Sequence, residues 1–352
     1  METVKFTGSR EISLSRRTLL GSALGGTITA SFGSQEGSVM STSSSSAKSP
    51  AGTAWAKDSL VDTHVHLSNL LLPGYPETKA PGSNVSLPPF DESKRAEGTT
   101  QLVKIFQQEM KAADIGQVLC MPLGGGVTRE DPLAIREVEL LIPLVEGAQL
   151  YPIGFAEPEK VKDKKHLDRV EAVLKLRKVK ALKVFLGYYH FFPSHYGPYF
   201  RLAAKFDIPV IFHTGDPYSP KSKIKYADPM WIDEIAVDFP ETKFVMAHFG
   251  NPWCDTAAEV VWKNENVWAD LSGLWIGTAE KFETEYKNGV LDFQIARFRQ
   301  WIEYAEKPNR FLFGSDWPLA NLVAYRDFVR RMFPESEYKA VFRDNAKALF
   351  KI

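Results

Sequence analysis

The segment Leu60-Val61-Asp62-Thr63-His64-Val65-His66 is a short apolar run that ends in two histidines spaced two residues apart. Residues two apart in a β-strand point to the same side, so His64 and His66 are predicted to face one space at the end of a strand. An isolated His-x-His pair is weak evidence for a site, because a strand can carry two histidines that serve packing alone. This segment therefore becomes strong evidence for a site only if other strands along the chain also end in histidines or acids.

Three later apolar runs also end in a histidine or an acid. His213 follows one run, His248 follows another, and Asp316 ends a run that begins at Phe311. Imidazoles and carboxylates at strand ends are the groups that a catalytic divalent metal site requires. The set predicts a metalloenzyme. Zinc is the default ion for histidine and carboxylate ligands, although manganese or iron would also fit.

Apolar runs rich in β-forming residues alternate with segments of helical spacing along the chain. The predicted strands are residues 60–66, 118–122, 150–155, 181–186, 209–213, 244–248, 267–271 and 310–316. Helical spacing is evident over residues 102–113, 135–144, 167–176, 229–239 and 293–305. Such alternation predicts an α/β protein with a (β/α)8 (TIM) barrel. A doubly wound open sheet is the rival fold, but it would not bring residues from the first, fifth, sixth and eighth strands to one place, whereas the mouth of a barrel does.

The stretch 69–99, after the first strand, is rich in proline and is expected to be non-helical and to form part of the rim or lid of the site.

Residues 1–56 differ in amino-acid composition from the rest of the chain and are predicted to lie outside the folded domain. Ser15-Arg16-Arg17-Thr18-Leu19-Leu20 precedes a weakly apolar stretch, and together they resemble a Tat export signal. A serine-rich linker follows at residues 41–46. The apolar stretch is shorter than the roughly 20 residues that a spanning helix needs, so no stable membrane anchor is expected. A disordered cytoplasmic tail with a chance Arg-Arg pair is the alternative.

This interpretation implies that the Tat translocon is a partner during export, that the protein is periplasmic, and that residues 57–352 form the mature domain. Lys plus Arg and Asp plus Glu each number 43, so the formal net charge is zero and nothing suggests nucleic acid as a partner. A small-molecule substrate is the expected partner, and the sequence is compatible with an oligomer. The two cysteines, Cys120 and Cys254, do not make a disulfide framework.

The motifs together resemble the amidohydrolase superfamily, and within it the amidohydrolase-related family that includes carboxymuconate-semialdehyde decarboxylase-like and lactonase-like enzymes. The matching segments are residues 61–66, 212–214, 247–253, 312–318 and 345–350. The resemblance covers about residues 58–352, and it is specific for the superfamily but not for one reaction.

The resemblance implies that His64, His66 and His213 are metal ligands. It implies that Asp316 binds the metal or its water and shuttles a proton. His248 would be a ligand in a two-metal site, or would orient or deprotonate the water in a one-metal site. One ion is expected rather than two. A carboxylate at hydrogen-bond distance from an activated water can take its proton and return it to a leaving group.

Lys183 lies inside the fourth predicted strand, where an ammonium group is costly. Burial lowers the pKa of a lysine, which would favour reaction with carbon dioxide. In hydantoinase-like relatives a lysine in similar surroundings is carbamylated and bridges two metals. The alternatives are an unmodified catalytic lysine that pairs with a substrate carboxylate or with Asp316, and a lysine that simply extends out of the barrel mouth.

Aromatic residues follow several predicted strands, among them Tyr188, Trp253 and Trp317, and these are candidates for substrate contact. The main functional hypothesis is metal-dependent hydrolysis of a small lactone, amide or ester. A metal-dependent non-oxidative decarboxylase is the alternative, and an exported metal- or solute-binding module is the third. Asp316 argues against the third, because a sequestering site gains little from a proton shuttle.

Overall fold

The computed structural model describes residues 59–67, 78–79, 86–87, 95–122, 124–217 and 220–352. The predicted export signal and serine-rich linker lie outside the described residues. So does most of the stretch 69–99, of which the structure gives the backbone of a two-residue antiparallel pair, Thr78–Lys79 with Ser86–Leu87. The expectation that this stretch forms a rim or lid therefore stays a prediction. The prediction that this stretch is non-helical is wrong at its end, because a helix begins at Arg95, beyond the last of the prolines.

Parallel strands form the centre of the molecule. They are β1 Leu60–Val65, β2 Ile115–Cys120, β3 in two parts (Gln149–Pro152 and Gly154–Phe155), β4 Leu182–Val184, β5 Val210–His213, β6 Phe244–Ala247, β7 Val267–Asp270 and β8 Phe311–Leu312. Each strand pairs with its neighbours in chain order. The ring closes because the backbone N–H groups of Thr63 and His66 donate to the carbonyls of Phe313 and Trp317 at 3.0 and 2.8 Å. This closure confirms the (β/α)8 barrel and excludes the open sheet.

Helices surround the barrel. They are α1 Arg95–Ala113, α2 Arg136–Leu141, α3 Lys164–Lys175, α4 Leu186–Tyr189, α5 Gly197–Phe206, α6 Met230–Asp238, α7 Cys254–Lys263, α8 Ala279–Lys287, α9 Val290–Ala305, α10 Leu322–Arg330, α11 Glu335–Lys339 and α12 Asn345–Phe350, with a π-helical turn, Ala340–Asp344, before the last. Within the described ranges, no helix is both long enough and apolar enough to cross a membrane.

Two apolar layers hold the barrel together. The inner layer fills the ring and includes Val61, Ile153, Ala181, Ile211 and Val245. The outer layer lies between the strands and the helices. Leu349 and Phe350 of α12 belong to the inner layer, and Lys180, just before β4, donates to the Lys351 carbonyl at 3.0 Å. The C-terminal helix therefore closes the end of the barrel at which the strands begin.

Strand β1 contains an irregularity that sets the direction of its histidines. Between Asp62 and Val65 it advances three residues while β2 advances two, from Val118 to Cys120. Such a bulge changes which face the following side chains occupy. Val61 can therefore pack inside the barrel while His64, an odd number of residues later, still points into the barrel mouth.

Candidate metal centre

The predicted site residues lie at the ends of strands that surround one barrel mouth. His64 and His66 lie at the end of β1, His213 is the last residue of β5, and His248 directly follows β6. Asp316 follows β8, where its N–H donates to the His64 carbonyl at 2.8 Å. The barrel thus brings together side chains that are more than 250 positions apart in the sequence.

His64, His66 and Asp316 form a group with the spacing of metal ligands. The two Nε2 atoms of His64 and His66 are 3.3 Å apart. Oδ1 of Asp316 lies 3.4 Å from His66 Nε2 and 3.7 Å from His64 Nε2. Two tetrahedral ligands at zinc-like bond lengths of about 2.0–2.1 Å are roughly 3.3 Å from each other. These three side chains therefore fit around a divalent ion.

His213 and His248 lie beside this group. Nδ1 of His213 is 3.2 Å from Nε2 of His248, and their rings are nearly perpendicular at 4.7 Å. The other ring nitrogen of His213 lies 3.1 Å from the Asp216 carbonyl oxygen. Among the described residues, the two three-residue groups spaced for a metal are His64 with His66 and Asp316, and His64 with His248 and Asp270. His213 belongs to neither, so its role as a ligand stays a prediction.

Asp270, at the end of β7, is a site residue that the sequence reasoning missed. Its Oδ2 accepts a hydrogen bond from His64 Nδ1 at 2.9 Å, and its Oδ1 accepts from the backbone N–H of His248 at 3.1 Å. A carboxylate on Nδ1 fixes the ring so that Nε2 is the nitrogen available to an ion. The available signal was the same as for Asp316, an acid that ends an apolar strand.

Ser272 is a second residue that the sequence reasoning missed, and it links two of the imidazoles. Its Oγ lies 3.0 Å from His64 Nδ1 and 2.9 Å from His248 Nδ1. It also donates a short hydrogen bond to Asp270 Oδ1. Asp270 and Ser272 together hold the histidines from behind, on the side away from the shared Nε2 space.

Burial sets the protonation of the site. It holds the pKa of His64 and of His248 well below the usual range and lowers the pKa of His213 to about 3. The rings are therefore neutral and able to offer lone pairs to a metal. Burial acts in the opposite direction on Asp316, where it raises the pKa to about 7 against the partial opposition of Lys183. In the metal-free site this carboxyl group can hold a proton near neutral pH.

Asp62 braces the site from within the barrel wall. It is fully buried, and its Oδ1 accepts hydrogen bonds from the backbone N–H groups of His64 and Ser315 at 3.1 and 2.9 Å. One carboxylate therefore ties the end of β1 to the segment after β8. These are the two segments that carry His64, His66 and Asp316.

Gly273 leaves space for the Asp316 carboxylate and the His248 ring beside the candidate metal centre. Its φ is +63°, and a Cβ atom at this position would lie 2.7 Å from Asp316 Oδ2 and 3.0 Å from His248 Nδ1. Real Cβ atoms do not approach that closely, so only glycine permits the backbone to pass here. The close approach is what a cradle for a small ion requires.

Lys183 and a group of aromatic rings form the wall beside β4. Lys183 is fully buried, and within the described part of the chain its Nζ has no hydrogen-bond partner. The Phe185 ring centroid is 5.3 Å from that nitrogen. The Tyr188 ring meets the His213 ring at 5.2 Å, nearly edge-on. Tyr188 thus lies beside the candidate centre.

The two tryptophans predicted to contact substrate lie in different surroundings. Trp253 is half-buried, immediately before α7. Trp317 is completely buried, and its ring lies 4.8 Å from the Phe106 ring of α1. This position favours a packing role for the Trp317 side chain, while its carbonyl helps to close the barrel.

An amidohydrolase family profile (Amidohydro_2) matches residues 61–352. The chain belongs to this amidohydrolase family. The match covers the whole barrel, including every candidate ligand, and confirms the superfamily resemblance drawn from the motifs. No curated protein is significantly similar to the chain in sequence.

Several solved structures share the fold. The 5-carboxyvanillate decarboxylase of Sphingomonas paucimobilis is 13% identical with a TM-score of 0.53, over 84% of this chain and 100% of that one. A dihydroxybenzoic acid decarboxylase from a Polaromonas species, solved with bound manganese and an inhibitor, is 13% identical with a TM-score of 0.51, over 84% and 97%. The dihydroorotase of Campylobacter jejuni is 14% identical with a TM-score of 0.51, over 84% and 83%. At these identities the likeness establishes the fold alone.

Proposed function

We propose that this protein is a metal-dependent, non-oxidative decarboxylase of a small aromatic or conjugated acid. The observation that carries the proposal is the buried carboxyl group of Asp316, whose Oδ1 lies 3.4 Å from His66 Nε2 and 3.7 Å from His64 Nε2, beside ligand-spaced imidazoles. A carboxyl group placed inside the site, where it can pass a proton to the substrate, is what carbon protonation needs. The similarity in fold to two decarboxylases of aromatic acids adds support.

His64, His66 and Oδ1 of Asp316 would hold the ion, with His213 and His248 adjacent, and Oδ2 of Asp316 would be the oxygen that carries a proton. We propose one divalent ion, zinc or manganese. When bound, it supplies Lewis acidity, which draws electron density from a substrate oxygen. Asp270 and Ser272 keep the two histidine rings oriented for this task.

The chain's own residues can carry the proton. Asp316 would donate its proton to the ring carbon that bears the carboxylate. The electron pair of the bond to that carboxylate then returns to the ring, carbon dioxide leaves, and a new C–H bond remains. Asp316 is left as a carboxylate and recovers a proton from solvent. His248 lies nearby, with its Nδ1 4.0 Å from Asp316 Oδ2.

The proposal is tested by trapping evolved carbon dioxide from a panel of hydroxylated benzoic acids with zinc-loaded and manganese-loaded protein. Asp316→Asn should lose about 100-fold or more in turnover while keeping more metal than activity, because the amide retains an oxygen but cannot shuttle a proton. Asp255→Asn, on the exposed face of α7, is the matched control and should turn over normally. Equal turnover in Asp316→Asn would refute the assigned role.

Hydrolysis of a lactone, amide or ester is the second candidate. It is supported by the likeness in fold to a dihydroorotase and by the same set of ligands. A pH-stat screen of lactones and cyclic amides on the same preparations separates the two. Acid release without carbon dioxide would replace the decarboxylase proposal with a hydrolase.

We also propose that residues 1–56 direct export through the Tat translocon to the periplasm. The support is the Arg16-Arg17 pair ahead of a weakly apolar stretch. Cell fractionation of the full chain and of a variant with both arginines changed to lysine tests this. Retention of only the variant in the cytoplasm is the expected result, and equal distribution would contradict it.

A further inference from the structure

Lys183 is a buried positive charge that has no counterpart among the described residues. Its relative exposure is 0%, and among the described residues its Nζ neither makes a hydrogen bond nor comes within 4.0 Å of a carboxylate. An ammonium group has three donors, and burying them unsatisfied costs several kcal/mol. A group retained at that cost requires a reason outside ordinary packing.

The strand pattern directs Lys183 into the barrel on the side of the metal centre. Ala181, two residues earlier, belongs to the inner apolar layer, so Lys183 points the same way one step nearer the mouth. On the neighbouring strand Ile211 and His213 have the same relation. The positive charge of Lys183 also contributes to the lowered pKa of His64 and of His213, which places it within electrostatic reach of both.

The acids nearest to Lys183 are already engaged. Asp270 is held by His64, by the backbone of His248 and by Ser272. Asp316 lies against the Nε2 atoms of His64 and His66. Both acids raise the pKa of Lys183, but neither reaches ion-pair distance, and burial outweighs them. The Phe185 ring at 5.3 Å gives only a weak cation–π contact. Among the described residues none is therefore left to pair with Lys183, and a carboxylate carried by the substrate would supply the partner.

We propose that Lys183 is an unmodified lysine that binds a carboxylate of the substrate and thereby selects anions over neutral analogues. This inference rests on the proposed function of the site. Phe185 and Tyr188 give the adjoining wall flat apolar surfaces, and their rings meet nearly perpendicular at 5.9 Å. A planar ring bearing a carboxylate fits that combination of one buried cation and aromatic walls.

The test is a binding measurement on the metal-loaded full chain. Benzoate, 2-hydroxybenzoate and 2,6-dihydroxybenzoate are titrated calorimetrically, with 2-hydroxybenzamide as the neutral probe. Lys183→Met should weaken binding of at least one anion tenfold or more and leave the amide unchanged. Lys180→Met is the matched control, because Lys180 lies just before the same strand, at the closed end of the barrel, and donates to the Lys351 carbonyl. If no anion binds the natural chain better than Lys183→Met, the proposal is overturned.

Two further readouts make the outcome independent of folding and of turnover. Removing an uncompensated buried charge should raise the melting temperature of Lys183→Met in the metal-free protein, whereas loss of a structural ion pair would lower it. A carbamate carbon signal in ¹³C NMR after equilibration with labelled bicarbonate would overturn the unmodified lysine. Anion selectivity without carbon dioxide release would sustain this inference and refute the decarboxylase.

Discussion

At the scale of single residues, Gly273 offers a direct test of the space between Asp316 and His248. Gly273→Ala should lose metal binding and activity at least tenfold, because the new Cβ would lie 2.7 Å from Asp316 Oδ2. Gly126→Ala is the matched control, because Gly126 also has a positive φ, +76°, but has no atom within 4 Å of an added Cβ. Both variants accept a left-handed backbone penalty of roughly 1–2 kcal/mol. Metal titration and turnover of the two should differ, and equal loss in both would contradict the steric argument.

His166 provides a pH-dependent term in stability that is separate from the metal centre. It is 1% exposed, and its Nε2 lies 2.9 Å from the Tyr199 hydroxyl, which donates to the Glu157 carbonyl at 3.1 Å. Burial is the main cause that lowers the pKa of His166 below 6.5, so the folded chain keeps this ring neutral while the unfolded chain protonates it. Stability from this group is therefore present above about pH 6.5 and is lost as the pH falls.

The predicted difference is measured by denaturant unfolding of the natural chain and of His166→Gln. Between about pH 8 and about pH 5.5 the natural chain should lose stability relative to the variant, by at most roughly 1.4 kcal/mol for each pH unit below about 6.5, which is the slope for one proton taken up only on unfolding. If the free energies of unfolding of the two proteins changed with pH in parallel, His166 would be protonated equally in the folded and unfolded chains.

The residues that could be predicted from the sequence are those that end apolar strands in a recognisable motif. His64, His66, His213, His248 and Asp316 all reach one mouth for this reason. Asp270 escaped because the run that contains it carries no histidine and looks like an ordinary buried strand. Ser272 and Gly273 follow that strand in a turn, and their importance depends on distances to Asp316 and His248 that no local pattern contains.

At the scale of elements, each predicted helix is present, but its first and last residues differ from those predicted. The helix predicted over residues 167–176 is α3, which begins at Lys164 because the Asp163 side chain accepts the His166 N–H and caps it. The predicted strand over residues 310–316 has regular pairing only at Phe311–Leu312. After that the chain turns to place Asp316 at a φ of +60°. The bulge in β1 could not be predicted either, because side-chain alternation every two residues assumes a regular strand.

Helix α12 gives the prediction at this scale. Phe350 is 2% exposed and fills the closed end of the barrel, so Phe350→Ala should cost about 3–5 kcal/mol in the free energy of unfolding. The metal centre lies at the opposite end, so turnover per folded molecule should not change. Ala348→Ser, on the exposed side of the same helix, should change stability by less than about 0.5 kcal/mol. Urea unfolding and turnover measure both effects, and a fall in turnover of folded Phe350→Ala would indicate that the ends of the barrel are coupled.

At the scale of the whole molecule, the barrel divides its two ends between stability and chemistry. The inner apolar layer and α12 occupy one end, and buried polar groups occupy the other, where a packed core would otherwise continue. Burying several imidazoles and carboxylates costs free energy, and an ion bound between them would offset part of that cost. Ligand binding should therefore stabilise the entire fold rather than one loop, because the candidate ligands belong to strands that close the ring.

The free energy of unfolding should therefore rise with zinc or manganese concentration, by about 2.7 kcal/mol at one hundred times the dissociation constant. His66→Ala should lose most of this rise, because its Nε2 is one of three ligand atoms spaced about an ion. His190→Ala is the matched histidine control, since His190 lies outside that group and its Nε2 is bonded to the Lys221 carbonyl at 3.1 Å. Thermal unfolding of both variants with and without chelator supplies the measurement. An undiminished metal-dependent rise in His66→Ala would place the ion elsewhere and remove the basis for assigning the mouth of the barrel its chemistry.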